Sequence, residues 1–344
     1  MMRRAYSRWI GSLCTSVLIV LCSARVGQAA SVEEFYRDRT VAVLIGYSVG
    51  GGYDSYARLL AKHMGKHIPG NPTLVPQNMP GAGSLKAVNY LYAVAPRDGS
   101  VFGIVARGMA MEPLLSDAQF DARKFTWLGS VTNEVSFCAS WHTSTVKSWD
   151  DALSKEFVVG GNGAGSDPDV YALLLKNLLG ARIKLVTGYP GSTDINLALE
   201  RGEIAGRCGW SWDSLKSRNA SWLTEGKINL LVVFAAKRNP EMPPDAPLIV
   251  DLVKTEEQRQ ILNLIMAREI LGRPVFGPPG IPADRAQALR AAFDDTMRDP
   301  DFLAEAKKSE LEVNPVSAAE VDALLAELYG TPKDVLTKAM KAIQ

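Results

Sequence analysis

Short apolar runs alternate with glycine-rich turns and amphipathic stretches along much of the chain. Val41–Ile45 is apolar throughout and stops at Gly46, the pattern of a buried parallel strand. The loop from Gly46 to Gly52 leads to Asp54, a residue type suited to cap a helix. Ala57, Leu60, Met64 and Ile68 follow at three- and four-residue steps, which predicts a helix with one buried face. Pro69-Gly70-Asn71-Pro72 ends it. A second short strand is expected at Thr73–Val75, then a turn over Asn78–Ser84 and a helix through Ala87, Leu91 and Val94. Val101–Val105 reads as a third strand.

The middle of the chain repeats this order. Phe157–Val159 predicts a strand, Gly160–Asp167 a glycine loop, and Asp169 to Leu179 a helix stopped by Gly180. A strand at Ile183–Val186, a loop at Thr187–Asp194 and a helix through Ile195, Leu197 and Leu199 come next. Ile204 to Trp212 and Leu230–Phe234 follow as further strand candidates. Helices over 286–297, 300–308 and 318–328, with a tail to Gln344, dominate the C-terminal part, and Pro243-Pro244 and Pro278-Pro279-Gly280 mark loops. Such alternation predicts an α/β fold with parallel pairing. Ligands in that class sit beyond the carboxyl ends of the strands, where these loops gather.

The N-terminus changes the picture of where the chain works. Arg3, Arg4 and Arg8 precede an apolar run from Ile10 to Cys22, and Val26-Gly27-Gln28-Ala29-Ala30 closes the segment with small residues. This is the layout of a cleaved secretory signal peptide over residues 1–29, and the run is shorter than the roughly 20 residues a membrane span needs. Periplasmic export is the expectation. Cleavage removes four arginines and no acidic residue, so the formal charge moves from +1 to −3. A mildly acidic mature chain argues against a nucleic-acid partner. Its length suits about two domains. Cys138 and Cys208 remain after cleavage, either as one disulfide or as two buried free thiols.

Candidate chemistry is sparse. Gly46-Tyr47-Ser48-Val49-Gly50 follows a strand and matches the nucleophile turn of α/β hydrolases. That reading needs an acid and a histidine downstream, yet the chain has three histidines, two of them four apart on the first helix. No phosphate-binding loop, dinucleotide fingerprint or metal-ligand spacing occurs, so neither a cofactor nor a metal is expected. What recurs is a loop that joins glycine, a small hydroxyl residue and a helix start, an arrangement that offers backbone N–H groups to an anion. Arg107 follows the third strand and could grip a ligand carboxylate; Arg207 sits near the end of a strand, with Trp210 and Trp212 available as cleft walls.

Several segments, in order, resemble the Bug-type receptor proteins of tripartite tricarboxylate transporters. They are Gly50-Gly51-Gly52-Tyr53-Asp54 with Ala57-Arg58-Leu59-Leu60, then Asn78-Met79-Pro80-Gly81-Ala82-Gly83, and Ala95-Pro96-Arg97-Asp98-Gly99. Gly161-Asn162-Gly163, Tyr189-Pro190-Gly191, and Ala235-Ala236-Lys237-Arg238 before Pro243–Pro247 complete the set. The resemblance implies a type II periplasmic-binding-protein fold: two α/β lobes with a ligand cleft between them, lobe 1 from 30–138 and 238–344, lobe 2 from 139–237. It implies a monomer that closes by a hinge over a small carboxylate and then docks on integral-membrane transporter subunits. The ligand-binding set expected on this basis draws Tyr47, Ser48, Gly51, Gly52 and Asp54 from the first loop, and Gly81 and Ala82 from the second. The later loops add Asn162, Gly163, Ala164, Ser166, Tyr189, Ser192 and Asp194, with Arg107, Arg207 and Trp210 alongside. The chain departs from the family pattern at Ser48-Val49, where a proline is usual, and at Arg207 to Trp212.

Overall fold

The computed structural model describes residues 31–344, so the signal peptide read at 1–29 lies outside the described residues. Two mixed sheets form the frame. The chain lays down β1 (Thr40–Ile45), β2 (Thr73–Asn78), β3 (Val101–Ile104) and β4 (Thr126–Ser130) in the first. It then builds the second from β5 (Ser136–Trp141), β6 (Phe157–Gly160), β7 (Ile183–Val186), β8 (Gly206–Ser211) and β9 (Ile228–Phe234). It returns to the first with β10 (Pro274–Gly277) and β11 (Val316–Ser317). The orders are β11-β4-β10-β3-β1-β2 and β7-β6-β8-β5-β9. Parallel pairs β1–β2, β1–β3, β6–β7 and β6–β8 carry the strand–loop–helix units; β10, β4, β11, β5 and β9 pair antiparallel.

The local reasons follow the sequence pattern. Tyr56, Ala57, Leu60, Ala61 and Met64 form the buried face of the helix Gly52–Met64. Its N-cap is Gly51, not Asp54; Asp54 lies in the first turn, where a carboxylate suits the positive end of the helix. A single 3-10 turn, Gly65–His67, follows, so Ile68 is outside the α-helix. The second strand runs to Asn78 through Pro76, which is tolerated because β2 is an edge strand. The helix Asp167–Leu179 starts two residues earlier than expected, with Pro168 in its first turn, and ends at Gly180 at φ 79°. The helices Trp212–Thr224 and Glu256–Met266 were not foreseen. In the first, Asn219 breaks the helical geometry and polar residues interrupt the apolar stripe.

The sheets put the first crossing between Ser130 and Ser136. Cys138 therefore lies inside the second sheet, a few residues past the crossing. Cys138 and Cys208 are bonded to each other and join neighbouring strands β5 and β8 where their register shifts. The return crossing runs from Phe234 to Pro274 and carries two helices with it. One continuous apolar core links the halves, from Leu44 and Val105 under the first sheet to Phe157 and Val159 in the second. No helix among the described residues is long and apolar enough to cross a membrane.

Candidate functional site

The glycine loops meet where the two sheets face each other. The loop after β1 touches the loop after β7: Ser48 N–H donates to the Pro190 carbonyl (3.3 Å), and Ser48 Oγ donates to Asp194 Oδ2 (2.8 Å). The loop after β2 touches the loop after β6, where Gly83 N–H donates to the Asn162 carbonyl (3.1 Å). Gly83 stands at φ 57°, and a Cβ there would strike Ala164 and Ser166, so only glycine permits this approach. These contacts close a chamber of about 30 Å³. It adjoins a vestibule of about 230 Å³, with Gly52, Ser192, Trp210 and Ser214 in the wall of both. A larger open groove of about 1430 Å³ runs between Asn239–Pro244 and Leu303–Val313, but none of the buried unpartnered polar atoms lines it.

Among the described residues, four arginines are almost wholly buried, and their partners differ. Arg107 gives Nε to Asp167 (2.8 Å), Nη1 to Glu269 (2.9 Å) and Nη2 to Ser136 (2.6 Å). Burial works against its charge, yet Asp167 and Glu269 hold the guanidinium well above its usual range. Arg268 also faces Asp167 (3.2 Å), and Arg273 lies 2.6 Å from Glu134. Three guanidinium groups thus meet three buried carboxylates. Burial pushes Glu269 up to about 7 against the pull of Arg107.

Arg207 is different. It is 1% exposed and has no carboxylate partner among the described residues. Its bonds go to Asn196 Oδ1 (2.7 Å), Ser192 Oγ (3.2 Å) and the Ser192 carbonyl (3.4 Å), while its Nε has no partner. The guanidinium lies 4.6 Å from the centre of the Trp210 ring. With no counter-charge, burial pulls Arg207 down to about 9. A buried charge without an opposite partner is costly unless something supplies one, and Arg207 lines the chamber.

The chamber gathers seven of the expected residues: Tyr47, Gly52, Arg107, Asn162, Ser192, Arg207 and Trp210. Gly51 lines the vestibule. Arg107 also lines the chamber, but its charge is met by Asp167 and Glu269 and its Nε, Nη1 and Nη2 each donate to a protein acceptor. Asp54 is turned away from the chamber and holds Gly50 N–H, Asn78 and Arg58, each at 2.9 Å. Ser48 and Asp194 hold each other. Gly81 and Ala82 shape the loop that abuts Gly163 and Ala164. Ser166 bonds Asp169, and the Tyr189 carbonyl accepts from Asn162 (2.9 Å). Gly81, Ala82, Gly163, Ala164, Ser166 and Tyr189 do not line the chamber. The Ser48 hydroxyl donates to a carboxylate rather than to a histidine, and His63 and His67 pair with Glu305 and Asp299. No cluster of metal-ligating side chains occurs among the described residues. Sequence reasoning missed Tyr53, Asp167, Ser211, Ser214 and Arg273 in the chamber wall. Tyr53 stacks on Tyr47 and lies in a quoted motif, so it could have been found; Arg273 carries no local signal.

Two α/β halves enclosing a site at the carboxyl ends of their strands define the architecture of a periplasmic binding protein. No family model matches the chain. It is 23% identical over 347 residues to the UPF0065 protein in the gbd 5' region of Cupriavidus necator, covering 93% of this chain and 94% of that one. It is 26% identical over 294 residues to the UPF0065 protein in the TAR-I ttuE-ttuC' intergenic region of Agrobacterium vitis, covering 82% and 79%. Among solved structures, the periplasmic binding protein BugD superposes with a TM-score of 0.71 at 19% identity, over 88% of this chain and 98% of that one. MatC from Rhodopseudomonas palustris, with bound malate, gives 0.67 at 21%, over 89% and 99%. A second R. palustris protein, with adipate, gives 0.65 at 21%, over 88% and 97%. The resemblance seen in the motifs thus extends to the fold of Bug-type periplasmic binding proteins.

Proposed function

We propose that the chain is an extracytoplasmic, Bug-type receptor that captures a small carboxylate between its halves and delivers it to a tripartite tricarboxylate-type membrane transporter. The observation that carries this reading is Arg207, a buried guanidinium without a carboxylate, set in the wall of a chamber that both halves build. A ligand carboxylate supplies the missing charge. The first turn of the helix Gly52–Met64 and the hydroxyls of Ser211 and Ser214 also face the chamber and can donate to it. Closure brings Ser48 to Asp194 and Gly83 to Asn162, so a ligand held by both halves shifts the open–closed balance toward closed. No bond is made or broken. The malate and adipate in the two R. palustris structures fit the same solute class, and the reading places the chain in the periplasm.

The test is calorimetric titration of residues 30–344 with small carboxylates and with their amides. Carboxylates bind and the amides do not; Arg207→Met removes the difference. Equal binding of acid and amide to the wild-type protein would refute the reading.

A further inference from the structure

We infer that the solute presents one carboxylate head, seated at Arg207, and an uncharged apolar tail that lies in the vestibule, rather than being a compact di- or tricarboxylate. This rests on the carboxylate-receptor reading and narrows it.

Space sets the first limit. An oxygen-sized group needs roughly 10–15 Å³ of such cavity volume. A chamber of about 30 Å³ therefore takes about two oxygens, one carboxylate's worth. The rest of the molecule must extend into the vestibule of about 230 Å³.

Charge sets the second. Of the four buried arginines, Arg107, Arg268 and Arg273 are matched by Asp167, Glu269 and Glu134. One unmatched cation calls for one anion. The vestibule carries one exposed cation, Arg218, which donates to Ser55, and one exposed anion, Glu200, so its wall offers no net charge to a second carboxylate.

The walls set the third. Trp210 underlies Arg207 and meets Trp222 edge to face at 5.9 Å, and both rings border the vestibule. Leu197 lies on the same wall and is 42% exposed, an apolar side chain left without cover. Nearby polar side chains already engage one another: Asn196 accepts from Arg207 and donates to Asn219, and Ser192 accepts from Arg207. An apolar tail gains from this surface, whereas a second carboxylate would lose water here with only the exposed Arg218, set beside Glu200, to meet it.

The matched probes are hexanoate and adipate, which share a six-carbon chain and differ in the far end, with acetate and butyrate as shorter heads. Titration of residues 30–344 should show affinity rising about fourfold for each methylene buried, and hexanoate well above adipate. Leu197→Asp, a change at an exposed position, should weaken hexanoate several-fold and leave acetate unchanged. Adipate binding as tightly as hexanoate would overturn this inference while leaving the carboxylate reading intact, all the more if Arg218→Ala removed the adipate affinity. Failure of every acid, acetate included, would overturn both.

Discussion

Replacing Arg207 by methionine should make the empty protein more stable and the loaded one less so. The guanidinium is held at about 9 against an ordinary 12.5, which corresponds to roughly 5 kcal/mol of disfavour for the charged form. Against this stand the bonds to Asn196 and Ser192. Losing them leaves acceptors without donors, at about 1–3 kcal/mol each in a buried setting. At about 1.5 kcal/mol for each of the two side-chain acceptors, the balance is a net gain of about 2 kcal/mol. For a chain of this size the unfolding entropy converts that into about 3 °C of melting temperature. Binding moves the other way: losing the partner of a buried carboxylate costs about 2–5 kcal/mol, at least a roughly 30-fold weaker dissociation constant. The assay is a pair of melting curves, with and without a saturating acid, for both proteins. A variant that melts below the wild type when empty and keeps its affinity would refute the claim that Arg207 waits for a ligand charge.

Other expectations test the frame around the site. Ser48→Ala removes one interlobe hydrogen bond worth about 1 kcal/mol, so affinity should drop roughly fivefold; an unchanged affinity would show that Ser48 and Asp194 do not hold the closed form. Reducing the Cys138–Cys208 bond, which spans 70 residues, should cost up to about 4 kcal/mol by the chain-entropy relation, read as a lower urea midpoint. Glu269 is pushed up to about 7 when folded, from an ordinary 4.5 when unfolded. Its contribution is therefore full below about 4.5 and is lost as pH rises through about 7, so the melting temperature should fall between pH 5 and 8, and Glu269→Gln should flatten that slope. Gly83→Val should block the approach of Gly83 to Asn162, leaving the protein folded but open by small-angle scattering.

Much of this fold was legible because its units are local. A five-residue apolar run with a glycine beyond it can hardly be other than a buried strand and its turn, and Val41–Ile45 behaves so. The helix ending at Gly180 was readable for the same reason. The misses have physical causes. Trp212–Thr224 hides because Trp212, Leu215 and Trp222 are buried at spacings broken by polar residues. The short strand Pro274–Gly277 belongs to the first sheet only through antiparallel pairing with β3 and β4, set by residues more than a hundred positions away. Whether Cys138 and Cys208 would bond turned on β5 and β8 being neighbours, which no spacing in the sequence states.

The chamber shows the same division. By itself the sequence determined that glycine loops would stand at the ends of parallel strands, because strand, turn and helix follow from neighbouring residues. It could not tell Arg107 from Arg207, since both lie at or just after a strand in the same kind of setting. Tertiary structure decided between them. It brought Asp167 and Glu269, 60 and 162 residues away, onto Arg107, and set Arg207 over Trp210 with only amide, hydroxyl and carbonyl partners. A charge is free or spent according to what surrounds it in space, and that depends on contacts between distant parts of the chain.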